Sequence, residues 1–145
     1  MPSRISHSEE ETRRLGRGIG EALRPDGVLL LSGDLGSGKT VLARGVAEAL
    51  GIRPEEVVSP TYTLIHELEG PGGRLIHVDL YRLEPAQVEA IGLGELLEGP
   101  GVKVVEWAER LPFTPPGALA LTLERGPGAG RTLRRVAGPD LGLDL

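Results

Sequence analysis

The feature that most constrains the fold is a glycine-rich segment, GDLGSGKT at residues 33–40, which lies between two apolar runs of different periodicity. Before it, residues 28–31 form a short, continuously apolar run of the kind found in buried parallel strands. After it, the apolar residues of 39–50 recur at helical spacing until Gly51 and Pro54 end the pattern. The segment therefore predicts a strand, a tight loop and a helix in succession, which is typical of α/β folds.

The same segment matches in full the pattern G-x-x-x-x-G-K-[ST], the P-loop of nucleotide-binding proteins. In such a loop the glycines let successive backbone N–H groups point at phosphate oxygens, and the helix N-terminus adds its positive dipole end. We expect Lys39 to reach the β- and γ-phosphates and the Thr40 hydroxyl to ligate Mg²⁺. The structural alternative is a strand-to-helix turn that happens to carry a lysine, and the full match with both flanks favours nucleotide binding.

Two acidic residues follow predicted strands and could complete such a site. Asp79 ends the apolar run 75–78, and Glu106 ends the run 102–105. A hard divalent cation needs further oxygen ligands besides one hydroxyl and phosphates, so either carboxylate could contact the metal or the attacking water. In each case the alternative is a carboxylate that caps the following turn or helix.

The remaining pattern predicts a single domain over residues 1–145 with a three-layer α/β P-loop NTPase fold. Its central sheet is expected to be mainly parallel, with antiparallel hairpin additions. The predicted elements are a helix over 8–23 capped by Ser8, a strand stub at 57–58, strands at 62–68 and 75–79 joined by a reversal at 70–73, a helix over 85–97 interrupted at Gly92 and Gly94, a strand at 102–106, and a terminal hairpin of 118–124 with 131–137.

Composition excludes several classes of function. The chain has no cysteine, which removes disulfides, thiolate nucleophiles and cysteine-ligated metals. Its formal charge of −5 disfavours unaided nucleic-acid binding. Since no apolar run is long enough to span a bilayer and the N-terminus has no hydrophobic signal region, we expect a cytoplasmic protein without membrane contact.

Four motifs in order and at consistent spacing resemble the TsaE family (formerly YjeE), small bacterial P-loop ATPases required for threonylcarbamoyladenosine modification of tRNA. They are GDLGSGKT at 33–40, SPTY at 59–62, HVDLYRL at 77–83 and the pair Glu106-Trp107. The resemblance implies ATP and Mg²⁺ as cofactors, TsaD and TsaB as protein partners, and contact with tRNA only indirectly. In that family TsaD performs the transfer, and ATP hydrolysis supports multiple turnover.

The resemblance also implies roles for individual residues. It predicts Mg²⁺ ligation by Thr40 and Glu106, an active-site role for Asp79, and a switch-like loop that carries Thr61. Lys39, Asp79 and Glu106 form the predicted catalytic set. The predicted nucleotide contacts are Thr12, near the base, together with the loop and first helical turn: Asp34, Leu35, Gly36, Ser37, Gly38, Lys39, Thr40 and Val41. Where the family often has a second threonine after the lysine, this chain has Val41, so one phosphate contact is in doubt.

Two other functions remain open at this stage. One is a small-molecule kinase that uses the same loop, although the sequence offers no obvious acceptor site or basic lid. The other is a nucleotide-sensing adaptor in which ATP selects a conformation and hydrolysis is incidental.

Several further residues have both a functional and a structural interpretation. His66 and His77 lie on predicted strands, where a lone histidine is more often structural than catalytic. Trp107 fits equally well as a core anchor or as a neighbour of the nucleotide. Tyr81 and Arg82 form either a docking patch, with Arg82 able to reach a phosphate, or a plain surface pair. The basic cluster of the terminal hairpin, which comprises Arg131, Arg134 and Arg135, is expected to be a solvated strand face, and the alternative is a contact with tRNA or a protein.

Overall fold

The computed structural model describes residues 3–58 and 65–145. Over these ranges the strands are β1 (Ser3–Ser6), β2 (Val28–Ser32), β3 (Ile65–Gly70), β4 (Gly73–Asp79), β5 (Val102–Glu106), β6 (Leu119–Arg125) and β7 (Arg131–Ala137). The helices are α1 (Glu9–Leu23), α2 (Lys39–Ala49), α3 (Pro85–Ala90) and α4 (Leu93–Glu98), with short 3₁₀ turns at Pro54–Glu56 and Ala108–Arg110.

Within the described residues the strands form one sheet in the order β1-β7-β6-β2-β5-β4-β3. The pairs β6–β2, β2–β5 and β5–β4 are parallel, whereas β1–β7, β7–β6 and β4–β3 are antiparallel. The expectation of a mainly parallel sheet is therefore wrong: the protein has a mixed α/β sheet. Only the central strands are joined by crossovers. Short hairpin connections make the β3–β4 and β6–β7 pairs antiparallel, and β1 adds to the outer edge of β7 in antiparallel orientation.

Helices cover both faces of the sheet because the central strands are apolar on both sides. On β2, Leu29 and Leu31 pack with α1 and α2, whereas the alternate residue Leu30 packs in the cluster that contains α3 and α4. This alternation is the pleat of a strand buried from both directions. Thus β2 has no polar residue before its last position, and the loop that follows it begins in the middle of the molecule.

Helix α1 packs against α2 with unusually close backbones. A Cβ at Gly45 would lie 2.0 Å from the carbonyl oxygen of Arg13, and one at Gly16 would lie 2.2 Å from that of Leu42. Glycine is therefore required by space at this crossing. The close approach holds the first turn of α1 beside the first turn of α2, where the predicted site lies.

Most predicted elements are confirmed, and several boundaries are corrected. The Ser8 side chain caps α1 by accepting from the Glu11 amide at 3.1 Å. Residues 57–58 are not a strand, because the chain there leaves a 3₁₀ turn that begins at Pro54. The prediction of a strand over 62–68 is shifted, since β3 begins at Ile65 and continues to Gly70; residues 62–64 lie outside the described residues.

The helix predicted over 85–97 is two helices. The chain turns at Gly92, which has a φ of 71°. Gly94, expected to interrupt the pattern, lies inside α4 instead. No prediction anticipated β1, a four-residue edge strand with little apolar character. Across the described parts of the chain, no helix is long and apolar enough to cross a membrane.

Candidate nucleotide site

The loop at residues 33–40 leaves the carboxyl end of β2 and enters α2 at Lys39, and its backbone has a positive φ at three glycines, Gly33, Gly36 and Gly38. Gly38 caps α2 with a φ of 102°, a conformation that side chains rarely adopt. Gly33 has a φ of 143°, and a Cβ there would lie 2.3 Å from the carbonyl oxygen of Leu123 on β6. The Gly33 N–H donates to a carboxylate oxygen of Glu109 at 3.3 Å. The loop thus curls tightly and already points one amide at an anion.

The Lys39 side chain folds back over this loop and is 4% exposed. Its Nζ donates to the carbonyl oxygens of Gly33 at 2.5 Å and Asp34 at 2.9 Å, and to the Ser37 hydroxyl at 3.3 Å. Burial lowers the pKa of Lys39, and the opposing influence of nearby carboxylates, Glu106 first among them, does not cancel that shift. The ammonium is held in the loop by backbone oxygens rather than by an ion pair.

Thr40 and Glu106 meet across the gap between α2 and β5. The Thr40 hydroxyl donates to Glu106 Oε1 at 2.8 Å, and Glu106 is 2% exposed. The other carboxylate oxygen, Oε2, contacts Nε2 of the fully buried His77 on β4. The strand order explains this meeting: β5 lies between β2 and β4, so the end of β5 faces both the first turn of α2 and the adjacent strand.

Asp79 lies one strand further from the loop, opposite Glu106 in the parallel register of β4 and β5. It is 5% exposed, and its Oδ1 accepts the Tyr81 amide at 2.9 Å. The structure therefore brings both predicted carboxylates to one edge of the sheet, with Glu106 adjacent to Thr40 and Asp79 behind it. Asp79 also fits the alternative of a carboxylate that stabilises the following turn.

A cleft of about 270 Å³ runs along the loop and the first turns of α1 and α2. Every predicted nucleotide-contacting residue except Asp34 lines it: Thr12, Leu35, Gly36, Ser37, Gly38, Lys39, Thr40 and Val41. The Asp34 side chain is exposed, and its carbonyl oxygen accepts from Lys39. Thr12 is fixed by a 2.7 Å hydrogen bond between its hydroxyl and that of Ser6. Residues 59–62, which include the predicted switch residue Thr61, lie outside the described residues.

Trp107 lines this cleft and also packs against the core cluster that contains α3 and α4, so its position agrees with both of its sequence interpretations. It has a φ of 60°, its ring lies 4.1 Å from Lys39 Nζ, and it contacts the ring of Tyr81 at 4.9 Å between centroids. A cation beside an aromatic face is stabilised by the ring quadrupole. Tyr81 is 46% exposed, so the contact links the loop lysine to the molecular surface.

Sequence reasoning missed three residues that line the cleft. Glu9 and Ala129 were not singled out, and Arg131 was expected on a solvated strand face. Instead Arg131 is half-buried, and its guanidinium donates to the carbonyl oxygens of Gly128 and Gly130. No local pattern marks it, because β7 is antiparallel to β6 and only that topology carries the start of β7 to the mouth of the loop.

The oxygen atoms at this edge suit a cation that takes only a few ligands from the protein and the rest from water or phosphate. Among the residues that the structure describes, no group of three or more His, Asp or Glu side chains is arranged to hold a metal by itself. The Thr40 hydroxyl and the Glu106 carboxylate, already 2.8 Å apart, are the hard donors that Mg²⁺ prefers. The residues present therefore fit a magnesium ion shared with a phosphate ligand.

This protein belongs to the class of α/β proteins with a mixed sheet, and its central strand leads through a glycine-rich loop into a helix. The family model described as "Threonylcarbamoyl adenosine biosynthesis protein TsaE" matches residues 6–133. The chain belongs to the TsaE family, as the sequence motifs indicated.

Individual relatives agree with this assignment. A Nostoc sp. protein named tRNA threonylcarbamoyladenosine biosynthesis protein TsaE is 42% identical over 127 residues, which cover 85% of this chain and 78% of the relative. A Bacillus subtilis protein of the same name is 44% identical over 107 residues, covering 71% of this chain and 66% of the relative. The crystal structure of Bacillus subtilis YdiB superimposes with a TM-score of 0.68 at 33% identity and covers 90% of this chain and 81% of that one.

Proposed function

We propose that this protein has a P-loop NTPase fold and binds and hydrolyses ATP with Mg²⁺ as the ATPase component of tRNA threonylcarbamoyladenosine biosynthesis. One observation carries the proposal: the glycine-rich loop, the buried Lys39 and Thr40 line one cleft at the carboxyl end of β2, and the Thr40 hydroxyl is bonded to Glu106 at the end of β5. A triphosphate needs all three features in one place. The names of its relatives supply the biosynthetic context.

Lys39 is the cation that exchanges partners when the triphosphate binds. Its Nζ is bonded to two loop carbonyls and one hydroxyl, which are neutral acceptors. A phosphate oxygen carries charge, and a charge-assisted hydrogen bond is stronger than a neutral one. We therefore expect the lysine to leave the loop oxygens for the β- and γ-phosphates, and the loop amides to turn toward the same ligand.

Thr40 and Glu106 are the residues that would hold Mg²⁺, and the ion would neutralise charge on the β- and γ-phosphates. The hydroxyl already lies against the carboxylate, so both oxygens need little movement. Asp79 is held close to Glu106 by strand register and is nearly buried. From that position it would orient the attacking water and accept its proton.

The ATPase, kinase and adaptor functions differ in the fate of the γ-phosphoryl group. A small-molecule kinase would need an acceptor pocket beside the cleft. The residues that line the cleft come from the loop, α1, α2, Trp107 and the β6–β7 connection, and Arg131 is the basic residue among them outside the loop. An adaptor would bind ATP without needing hydrolysis. Phosphate release with and without acceptor metabolites and partners distinguishes the three.

The experiment that tests nucleotide binding compares Lys39→Ala with Arg74→Ala. Arg74 is an exposed cation on β4 that pairs with Glu69 at 2.9 Å, so its loss removes the same charge away from the cleft. Calorimetric titration with ATP and Mg²⁺ should show binding for the unchanged protein and for Arg74→Ala, and none for a folded Lys39→Ala. Equal affinity in all three proteins would refute the site.

The finer part of the proposal concerns partners. We infer that ATP hydrolysis here supports turnover of a TsaD–TsaB complex, while tRNA contacts this chain only indirectly. Reconstituting the tRNA modification with TsaD, TsaB and the carbamoyl-adenylate supplier, with and without this protein, tests the assignment. A yield limited to about one turnover without the protein and many with it supports the role.

A further inference from the structure

Glu106 is held from two sides, by Thr40 in the cleft lining and by His77 behind it. Thr40 donates to Oε1, whereas Oε2 contacts Nε2 of His77, which lies on the neighbouring strand. His77 is 0% exposed, and Glu106 is 2% exposed. A buried carboxylate accepts hydrogen bonds and cannot donate them when ionised, so the imidazole nitrogen that faces it must carry the proton.

The second ring nitrogen of His77 makes no competing hydrogen bond. Nδ1 is buried and has no hydrogen-bond partner in the described structure. Among the described residues, the contact between Nε2 and Glu106 is therefore the hydrogen bond that orients the ring, and it needs a proton on Nε2 because the carboxylate oxygen accepts.

The backbone explains why this contact can orient the carboxylate. His77 and Glu106 lie on adjacent parallel strands, where His77 is opposite Val104, so the imidazole reaches Glu106 diagonally from a rigid element. The side chain of Glu106 has three rotatable bonds, and a single hydrogen bond to Thr40 would not define all of them. A second bond to the other oxygen does.

From this arrangement, and resting on the proposed function, we propose that His77 is a positioning residue. Its Nε2–H holds Oε2 of Glu106 so that Oε1 is presented to the Thr40 hydroxyl, where Mg²⁺ would bind. His77 makes no contact with the nucleotide itself. Its loss should therefore reduce the gain in nucleotide affinity that Mg²⁺ provides and leave the Mg²⁺-independent part of the affinity unchanged.

Three substitutions at position 77 separate this role from mere filling of space. In His77→Gln the side-chain amide places a donor where Nε2 lies, in His77→Asn the donor lies nearer the place of Nδ1, and in His77→Leu no donor remains. His66→Leu is the matched control, since His66 lies opposite His77 on β3 and is only half-buried. Thermal unfolding of each variant establishes that it is folded.

The measurement is the dissociation constant for a non-hydrolysable ATP analogue with Mg²⁺ and with a chelator. Outer-shell partners of a metal ligand typically contribute about 10–100-fold, so the ratio of the two constants should fall by about that factor in His77→Leu and His77→Asn. It should stay within about threefold of the original in His77→Gln and His66→Leu. In a Glu106→Ala background, His77→Leu should have no further effect on the ratio.

A second readout needs no nucleotide. Long-range ¹⁵N–¹H spectra of the ligand-free protein should show a proton on Nε2 of His77, with the signal assigned by its loss in His77→Gln. A ring protonated only at Nδ1, an unchanged Mg²⁺ ratio in His77→Leu, or equal impairment of the Gln and Leu variants would each overturn the proposal. If the unchanged protein gains nothing from Mg²⁺, the proposed function fails as well, and the spectra still show whether His77 donates to Glu106.

Discussion

Lys39 shows how a single residue is prepared for a ligand at some cost to the folded state. Lys39 is 4% exposed, its ammonium is bonded to neutral oxygens, and burial lowers its pKa from the ordinary value of 10.5. Taking a charge out of water without an ion pair costs free energy that a charged ligand can restore. The loop therefore contains a cation that a phosphate would solvate better than its own backbone does.

This cost has a pH dependence of known sign. Between the lowered pKa of Lys39 and 10.5 the unfolded chain binds more protons than the folded chain, so the unfolding free energy rises with pH. The cost is fully present at lower pH and disappears as pH rises through that interval. Lys39→Met lacks this contribution, whereas Lys103, whose pKa burial also lowers, remains in both proteins and cancels.

We therefore expect the difference in unfolding free energy, unchanged protein minus Lys39→Met, to increase as the pH rises toward the ordinary lysine pKa of 10.5. Urea unfolding at a series of pH values measures it. A difference that is flat or decreases with pH would contradict the assignment of a desolvated lysine.

The two carboxylates should differ when each is removed. Glu106 touches Thr40, and Asp79 lies one strand away. We expect Glu106→Ala to weaken Mg²⁺-dependent nucleotide binding, whereas Asp79→Ala should lower turnover by about 10²-fold with a smaller effect on binding. Affinity with and without Mg²⁺, together with the turnover of both variants, tests this. Identical losses would mean that both carboxylates serve the metal.

At the scale of the elements, glycine has two different uses that sequence alone did not separate. Gly92 and Gly94 were both predicted to interrupt a helix, and only Gly92, at a φ of 71°, does so. Gly94 lies within α4, where a Cβ would meet nothing within 4 Å. Gly45 also lies within a helix, and its requirement comes from the facing helix α1. Local sequence patterns indicate backbone conformation. They do not indicate that a glycine is required because another element packs against it.

A matched pair of substitutions tests this distinction. Gly45→Ala should destabilise the protein by about 1–3 kcal/mol, because the new methyl group would overlap the Arg13 carbonyl and push α1 away from α2. Gly94→Ala should stabilise it by about 0.5–1 kcal/mol, because alanine loses less entropy in a helix. Denaturant unfolding of both variants measures the two values. A neutral Gly45→Ala would show that the helices are less closely packed than described.

At the scale of the whole molecule, topology decides what the sequence could and could not predict. The strand order β2-β5-β4 places Glu106 between Thr40 and Asp79. Because both strands have similar acidic ends, the sequence pattern alone does not show which carboxylate lies nearer to the loop. The motifs were sufficient for the family and for the loop. The antiparallel edges, the cleft position of Arg131 and the His77–Glu106 contact all depend on which strands are neighbours. Such long-range pairing is not written in local periodicity.

The same topology connects the loop lysine to the molecular surface through two aromatic rings. Lys39 lies 4.1 Å from the Trp107 ring, and Trp107 contacts the exposed Tyr81. In the proposed ATP-bound state a γ-phosphate would take Lys39 from its loop oxygens, and the aromatic pair would lose its neighbouring cation. We then expect the surface around Tyr81 to differ between the ATP and ADP states, which would give a partner protein a basis for distinguishing them.

We therefore expect this protein to bind a TsaB–TsaD complex with nucleotide-dependent affinity, and to differ between a non-hydrolysable ATP analogue and ADP by about 1–3 kcal/mol, a typical coupling energy. The isolated chain should bind tRNA only weakly at physiological salt, because its formal charge of −5 opposes a phosphate backbone. Calorimetric titration of the complex in each nucleotide state measures the difference, and Tyr81→Ala should reduce it. Affinity that is indifferent to the nucleotide would exclude the ATP state as the signal for docking.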